Sequence, residues 1–287
     1  MDPPRLAVTT ALLHERASHG LEVLLVRRPS TMAAFGDMWV FPGGQVDPAD
    51  GAATAHAVLG TRGETHAATP FLAPHPSCPD PARVPLYAAA CRELFEEVGV
   101  LLTAAAAPTE EALLAALIAR RADILADGER FYAELAARGQ RLDVARLQPW
   151  SRWITPPART RRFDTIFFVT AVTSRAIVPD PREVADAHWL GVDDAIREGL
   201  AGSRRLMAPT ILTLMQIAAA HRHFGSVTAL LAAPCAQLIA PVHPRGIDLQ
   251  GRHWIVFPWD GCGPEAGRGW RTSHIAQAVP GRLCAEF

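Results

Sequence analysis

The sequence predicts an α/β protein, and three observations lead to that prediction. Runs rich in branched and aromatic side chains, such as residues 6–14 and 165–172, have the composition of β-strands. Other stretches place apolar residues at helical spacing, most clearly the stretch that ends at Gly99. The 287 residues, 49% hydrophobic and 20% charged, can bury the core of one large domain or of one domain with additions.

The charge and the cysteines exclude several classes of protein. A formal net charge of −1 gives no electrostatic reason to expect nucleic acid or an anionic membrane as the main partner. The five cysteines are scattered and form no C-x-x-C pair, which supports neither a disulfide scaffold nor a zinc site. We therefore expect reduced thiols in a cytoplasmic protein. The uncharged segment 224–242 contains Pro234 and Gln237, which favours a buried helix followed by a strand over a membrane span.

The first predicted elements are strands. Residues 6–14 and 21–28 flank a polar turn, and residues 38–41 form a third short strand. This third strand leads into Gly43 and Gly44, a pair that lets the backbone approach a ligand closely. Both glycines are therefore candidate substrate-binding residues.

A long loop and a helix follow the double glycine. Residues 51–85 hold six prolines, which predicts a stretch of low order, of the kind that serves as a lid or a binding loop. Pro85 suits the first turn of the next helix, and Gly99 ends that helix. The apolar seam of the helix consists of Tyr87, Cys91, Leu94 and Val98.

The rest of the chain is predicted to contain both types of element. One helix begins with Thr109 as its cap and two glutamates in its first turn, and a second helix is stopped by Gly139. The run 165–172 is the clearest strand, because its residues are mostly β-branched or aromatic. The predicted elements are helices over 109–126 and 127–137, strands over 151–155, 165–172 and 183–190, helices over 193–200 and 206–224, and strands over 237–242 and 253–257.

The helix that ends at Gly99 also carries three acids. At 3.6 residues per turn, Glu93, Glu96 and Glu97 lie within about 100° of one another, and their charges repel. Clustered carboxylates provide the hard oxygen ligands that suit Mg²⁺ or Mn²⁺. A solvated acidic face on an amphipathic helix explains the same run equally well, so the helix alone leaves both interpretations open.

A second feature favours the metal. Gly44 and residues 92–100 together resemble the box of the Nudix hydrolase superfamily, G-x5-E-x7-R-E-U-x-E-E-x-G-U, in which U is a bulky aliphatic residue. The chain departs from this pattern in two places. Asp50 occupies the position of the first Glu, either as an outer partner of the helix or as a plain loop acid. Residues 51–91 replace the seven-residue spacer.

The resemblance implies a fold and a domain organisation. The fold would be a Nudix-type α/β/α sandwich with a mixed sheet, an insertion within the box and additional helices. The chain would be a single Nudix domain over residues 1–287, with an insertion at 51–85, a helical addition at 108–139 and a C-terminal extension at 234–287.

The resemblance also implies roles for individual residues. Glu93, Glu96 and Glu97 would hold one or more Mg²⁺ or Mn²⁺ ions. One carboxylate would accept the proton of the attacking water, and the choice among Glu93, Glu97 and Glu183 stays open. For Glu183, a solvated acid at a strand edge is the alternative. Arg92 is expected to pair with a box carboxylate and fix its orientation rather than to touch the substrate.

The substrate is inferred from further resemblances. The interrupted box, together with residues 41–47 before it, is similar to the coenzyme A diphosphatase branch of the superfamily. Three further segments share this similarity, namely 153–156, 162–165 and 208–210. This similarity implies hydrolysis of the pyrophosphate in coenzyme A or acyl-coenzyme A to 3′,5′-ADP and (acyl-)phosphopantetheine. A cluster of arginines could bind a phosphate through bidentate hydrogen bonds from its guanidiniums. The alternative is that the cluster belongs to a solvated loop before a strand. This cluster consists of Arg159, Arg161 and Arg162.

Other functions stay open within and beyond this branch. The substrate could instead be ADP-ribose, NADH or a dinucleoside polyphosphate. A different class is a non-catalytic domain that senses a nucleotide, although a pure binder has no need of three mutually repelling acids. The expected partner is a small-molecule nucleotide, with neither nucleic acid nor a membrane, and a homodimer is left open. No Ser-Lys-Leu ending is present, so we expect a cytoplasmic location.

Overall fold

A mixed β-sheet lies at the centre of the structure. The structure is a computed structural model, and it describes residues 3–16, 20–32, 35–68, 72, 82–104, 107–157, 159–233, 239–249 and 252–256. The sheet strands among these residues are β1 (Arg5–Glu15), β2 (Leu21–Arg27), β3 (Trp39–Val40), β4 (Gln148–Ile154), β5 (Phe163–Ala171), β6 (Asp186–Gly191) and β7 (Pro241–Val242). The path of pairing runs β3-β2-β1-β5-β4-β7. Strands β1 and β3 pair with the two ends of one edge of β2, and β6 pairs along the opposite edge. The pairs β1–β5 and β4–β7 are parallel, whereas the other pairs are antiparallel.

Helices cover both faces of this sheet. They are α1 (Ala53–Ala68), α2 (Arg83–Val98), α3 (Ala107–Ile118), α4 (Arg121–Ile124), α5 (Arg130–Ala137), α6 (Val192–Leu200), α7 (Ala208–Phe224) and α8 (Val227–Ala232). Side chains alternate between the two faces along a strand. Leu12 and Phe168 therefore pack with α1, α2 and α5, whereas their neighbours Leu13 and Phe167 pack with α6, α7 and α8. The α/β/α sandwich with a mixed sheet is confirmed.

The insertion predicted as a low-order stretch over 51–85 contains a helix, so that prediction was wrong for its first part. Helix α1 occupies this part, with a kink at Gly60, where φ is 62°. Val58 is buried in the core beside α2. The prolines all follow α1 in the sequence, so they do not interrupt it, and the alanines before them favour a helix. Residues 69–81, apart from Leu72, lie outside the described residues.

The helix predicted over 109–126 is divided in two, and its predicted cap is wrong. Helix α3 begins two residues before Thr109. Arg120 then adopts φ −115° and ψ 12°, which interrupts the helix before α4. The break turns Arg121 inward, where its guanidinium donates to the carbonyl of Val178 at 2.6 Å. A long-range contact of this kind leaves no trace in the periodicity of the sequence.

Other boundaries in the second half also differ from the sequence predictions. The strand predicted over 183–190 begins at Asp186, so Glu183 belongs to the turn before β6. An antiparallel ribbon of β8 (Arg245–Leu249) and β9 (Arg252–Val256) includes one strand that was not predicted. Among the described residues, no helix has the length and the apolar character needed to span a membrane. The C-terminal extension lies outside the described residues at 234–238, 250, 251 and 257–287.

The double glycine lies beside the first half of β1. The backbone N–H of Val8 donates to the carbonyl of Gly44 at 2.9 Å, and the N–H of Val46 donates to the carbonyl of Leu6 at 3.0 Å. The antiparallel pairing of β1 with β2 and the parallel pairing of β1 with β5 place the end of β2 and the start of β5 at this same end of the sheet. Three chain segments therefore converge where α2 presents its acids.

Candidate active site

Helix α2 presents its acids toward the interior of the protein. The apolar seam predicted for it is buried throughout, and Gly99 ends the helix in the left-handed conformation with φ 67°. Glu93 is 6% exposed and Glu97 is 4% exposed. This burial excludes the solvated acidic face for these two residues.

The double glycine is in direct contact with the two buried acids. The backbone N–H of Gly43 donates to Glu97 Oε2 at 3.0 Å. A Cβ atom at Gly44 would lie 2.5 Å from Glu93 Oε1, and a Cβ atom at Gly43 would lie 2.3 Å from the carbonyl oxygen of Val8. Neither position can carry a side chain without movement of its neighbours, which explains the two glycines physically.

Glu183 joins the buried acids from a different part of the chain. Glu93, Glu97 and Glu183 each provide a carboxylate oxygen, and these oxygens all lie within 4.8 Å of one another. The segment before Glu183 is fastened to the end of α2, because Val178 N–H donates to the Val98 carbonyl at 2.8 Å. In the same way, Asp180 N–H donates to the Glu97 carbonyl at 2.9 Å. The structure thus brings together three of the four glutamates that the sequence singled out.

Arg92 connects the acids of α2 to the segment after the double glycine. Its Nη1 donates to Glu93 Oε1 at 3.0 Å and to Glu96 Oε2 at 2.6 Å. Its Nε and Nη2 donate to the two oxygens of Asp50 at 2.8 and 3.0 Å. Nη2 also donates to the Gln45 carbonyl at 3.0 Å. Glu96 lies beside this guanidinium and is not one of the three acids that face each other.

Asp50 is a buried partner of Arg92 and not a plain loop acid. It is fully buried at the 3₁₀ turn Pro48–Gly51, where its Oδ2 accepts the N–H of Asp47 at 2.7 Å. Its Oδ1 accepts the hydroxyl of Tyr132 at 2.5 Å. Sequence reasoning missed Tyr132, because a tyrosine on the apolar side of an added helix looks the same as any core residue.

Burial dominates the electrostatics of the acids. It raises the pKa of Glu93 to about 8 and the pKa of Glu96 to about 7, although the charge of Arg92 opposes both shifts. Burial and the charge of Glu93 raise the pKa of Glu97 well above its ordinary value, against the hydrogen bond from Gly43. Burial alone would lower the pKa of Arg92, but its bond to Asp50 and the nearby acids raise that pKa above its ordinary value.

The donor set fits a divalent cation. Within the described part of the chain, Arg92 is the one guanidinium that is hydrogen-bonded to the acids of α2, so negative charge is in excess. Buried carboxylates need a cation or a proton, and hard oxygen ligands suit Mg²⁺ or Mn²⁺. Glu93, Glu97 and Glu183 are the residues that could hold such an ion.

The basic cluster lies at the same end of the sheet as the acids. Arg159 and Arg161 are exposed, whereas Arg162 is half-buried and donates from Nε to the Thr155 carbonyl at 3.2 Å. The N–H of Arg5, at the start of β1, donates to the Arg162 carbonyl at 2.9 Å. Val8, the residue of β1 that is hydrogen-bonded to Gly44, comes three positions after Arg5. Three residues of a β-strand span about 10 Å.

Comparison with known proteins identifies the family. An α/β/α sandwich in which a glycine turn faces the carboxylates of one helix is the arrangement that the Nudix box led us to expect. The family model described as the NUDT19 Nudix domain matches residues 5–216, and the chain belongs to this family of Nudix hydrolases.

Individual relatives agree with this assignment. The acyl-coenzyme A diphosphatase NUDT19 of Homo sapiens is 30% identical over 233 residues, which cover 70% of this chain and 61% of the relative. The protein of the same name from Gallus gallus is 28% identical over 212 residues, which cover 61% of this chain and 55% of the relative. The chain therefore matches less than two thirds of the length of these curated relatives. The crystal structure of a NUDIX hydrolase from Alicyclobacillus acidocaldarius is 27% identical with a TM-score of 0.59, covering 83% of this chain and 98% of the other.

Proposed function

We propose that the protein is a metal-dependent pyrophosphohydrolase that cleaves coenzyme A or acyl-coenzyme A to 3′,5′-ADP and (acyl-)phosphopantetheine. One observation carries the proposed chemistry: the carboxylates of Glu93, Glu97 and Glu183 converge beside the double glycine. The substrate is supported by the relatives named acyl-coenzyme A diphosphatase.

The proposed reaction is the hydrolysis of a phosphoric anhydride. A bond forms between the oxygen of water and one phosphorus atom, the anhydride oxygen leaves with the other phosphate, and two phosphate monoesters result. A bound Mg²⁺ or Mn²⁺ ion would neutralise charge on the phosphate oxygens. The chain itself would take the proton of the attacking water on Glu93, Glu97 or Glu183.

The other residues of the site would keep this arrangement in place. Arg92 orients Glu93 through a charged hydrogen bond, and the backbone N–H of Gly43 orients Glu97. Because both acids are buried, little water competes for these hydrogen bonds. The carboxylates are thus positioned before the substrate arrives, which is the condition for efficient electrostatic catalysis.

Recognition of the adenosine end is proposed for the start of β5. The exposed guanidiniums of Arg159 and Arg161 can bind the 3′-phosphate that distinguishes coenzyme A from simpler nucleotides. Phe35 lies beside the start of β5, with its ring centroid 6.3 Å from that of Phe163. Phe35 is 40% exposed, and its φ of 58° is strained for a residue other than glycine. An exposed aromatic ring next to basic side chains suits a purine and its phosphate.

The alternatives are a different nucleotide substrate and a domain that only binds nucleotides. The purified protein should be incubated with Mg²⁺ or Mn²⁺ and coenzyme A, acetyl-coenzyme A, ADP-ribose, NADH or diadenosine polyphosphates, and the products separated by chromatography. We expect 3′,5′-ADP from the coenzyme A compounds. Release of AMP from ADP-ribose or NADH alone would assign the enzyme to another substrate, and tight binding without any hydrolysis would indicate a sensor.

A matched pair of variants makes this experiment specific for the proposed site. Glu97→Gln keeps the shape of the side chain and should lower kcat by at least about a hundredfold, because it removes a carboxylate from the cluster. Glu198→Gln neutralises an acid on α6, which packs on the opposite face of the sheet, and should leave kcat unchanged. Full activity of Glu97→Gln would show that these acids do not form the catalytic site.

A further inference from the structure

A buried chain of hydrogen bonds leads from the helical addition into the acids of α2. It begins at the hydroxyl of Tyr132 on α5, passes through Asp50 and Arg92, and ends at the carboxylates of Glu93 and Glu96. Each bond in the chain is 3.0 Å or shorter. Tyr132 and Asp50 are both fully buried, so water does not replace these contacts.

The guanidinium of Arg92 is held in one orientation. A guanidinium has five N–H donors in a rigid plane. The Nε donor and one Nη2 donor bind Asp50, the second Nη2 donor binds the Gln45 carbonyl, and the two Nη1 donors bind Glu93 and Glu96. No donor is left over, so a movement of Asp50 moves the whole plane and with it the two glutamates.

Asp50 is itself fixed by groups on three sides. Its carboxylate accepts two N–H bonds from Arg92, one from the backbone of Asp47 and one from the hydroxyl of Tyr132. The bond from Tyr132 is the one that originates outside the box and its insertion. Helix α5 is held against α2 by the ring of Phe131, which stacks on Phe95 with centroids 5.2 Å apart.

We propose that Tyr132 is a positioning residue for the hydrolytic site. Its hydroxyl fixes Asp50, and through Arg92 it sets the orientation of Glu93 and Glu96. The helical addition is then part of the catalytic unit and not an appendage to it. This inference rests on the proposed metal-dependent hydrolysis, and it adds a residue that the Nudix box does not contain.

The test compares the two tyrosines of the chain. Tyr132→Phe removes the hydroxyl and keeps the ring, which packs against Phe131 with centroids 5.2 Å apart. Tyr87→Phe is the matched control, because Tyr87 is also buried, and its ring packs on Phe168. Loss of an outer partner of metal ligands typically costs ten- to a hundredfold in activity or metal affinity. We expect Tyr132→Phe to lower kcat about tenfold with KM within about twofold of wild type, and Tyr87→Phe to change neither by more than about twofold.

A second measurement does not depend on turnover. The affinity for Mn²⁺ can be determined without substrate from the electron paramagnetic resonance signal of the free ion. We expect Tyr132→Phe to bind Mn²⁺ several-fold more weakly than wild type and Tyr87→Phe to bind it equally well. Equal Mn²⁺ affinity of all three proteins would overturn the positioning role. Absence of hydrolysis by the wild type would instead overturn the proposed function and leave the Mn²⁺ comparison intact.

A double-variant cycle separates positioning from a general loss of packing. Asp50→Asn keeps the shape of the side chain but removes the charge that holds Arg92. If Tyr132 acts through Asp50, the variant with both substitutions has the same kcat as Asp50→Asn alone. Independent, additive losses of kcat would show that Tyr132 contributes only to packing.

Discussion

Glu93 and Glu97 differ in how their charge is compensated, although they lie one helical turn apart. Glu93 accepts a hydrogen bond from Arg92, whereas Glu97 accepts one from the neutral backbone of Gly43. Both face Glu183. Of these two buried acids, Glu97 therefore has the less compensated negative charge. A divalent cation placed among the three acids would stabilise the charge of Glu97 most.

A first prediction concerns recognition of the 3′-phosphate. The variant with both Arg159→Ala and Arg161→Ala should have a KM for coenzyme A about tenfold higher, because in the proposed binding mode each exposed guanidinium would donate a charged hydrogen bond to the phosphate. The KM for dephospho-coenzyme A, which lacks this phosphate, should change little. Steady-state kinetics with both substrates measure the difference.

The control for this prediction is Arg197→Ala, which removes an exposed arginine on α6. It should leave both KM values unchanged. If the double variant raises both KM values equally, the two arginines act on a part of the substrate that both compounds share.

Sequence spacing could predict which residues of α2 belong together, because the geometry of a helix is local. The buried seam and the shared face of Glu93 and Glu97 both follow from 3.6 residues per turn. The contributions of Tyr132 and Glu183 could not be derived in this way. They depend on chain segments far along the sequence that meet only in the folded protein, and Glu183 was singled out through the resemblance alone.

At the scale of elements, the end of α2 is the junction on which the site depends. The segment that carries Glu183 is hydrogen-bonded to the last turn of this helix. Arg121, from the helical addition, donates to the carbonyl of Val178 in the same segment and lies over the ring of Phe95. Helix α2, the segment that carries Glu183 and the helical addition are thereby joined around Gly99.

A second prediction tests this junction. In Gly99→Ala the new Cβ would lie 2.7 Å from Nη2 of Arg121 and 3.0 Å from Cβ of Val178, and φ would stay at 67°. We expect a loss of about 3 kcal/mol in the free energy of unfolding, from backbone strain and the two contacts together. The value of kcat should also fall several-fold, since the segment before Glu183 shifts. Urea unfolding and kinetics measure the two effects.

The variant Gly225→Ala separates the cost of backbone strain from the cost of the steric contacts. Gly225 ends α7 with φ 77°, but a Cβ there would meet nothing within 4 Å. This variant should lose about 1 kcal/mol in the free energy of unfolding through strain alone, with unchanged kcat. An equal loss of stability in both variants would contradict the role given to Arg121 and Val178.

Element types were predicted more reliably from the sequence than element boundaries. β5 is rich in β-branched and aromatic residues, and β1 and β2 are short apolar runs bounded by polar turns. Because these signals are local, β1, β2 and β5 lie where the sequence placed them. Helix α1 was missed because the prolines at the end of the insertion dominated the interpretation of its beginning. The break between α3 and α4 was not predicted from the sequence, because it depends on the contact between Arg121 and Val178.

At the scale of the whole molecule, the sandwich places buried negative charge at one end of the sheet. The free energy of unfolding is therefore linked to pH. The pKa of Glu93 is about 8 and the pKa of Glu96 is about 7 in the fold, against about 4.5 for an ordinary glutamate. Between pH 4.5 and pH 8 the folded protein thus binds more protons than the unfolded chain. Stability present at low pH is then lost as the pH rises through this window.

The third prediction follows from this loss of stability with rising pH, and it concerns the metal. A divalent cation binds deprotonated carboxylates, so it competes with these protons and stabilises the fold more as the pH rises. The Tm of the protein in a chelator should fall from pH 5 to pH 8, and the increase in Tm on adding Mg²⁺ or Mn²⁺ should be small at pH 5 and largest near pH 8. The variant with both Glu93→Gln and Glu97→Gln removes two of the titrating groups and two ligands. Both trends should flatten in it, whereas an equal metal-dependent increase in the variant would mean that the cation binds elsewhere.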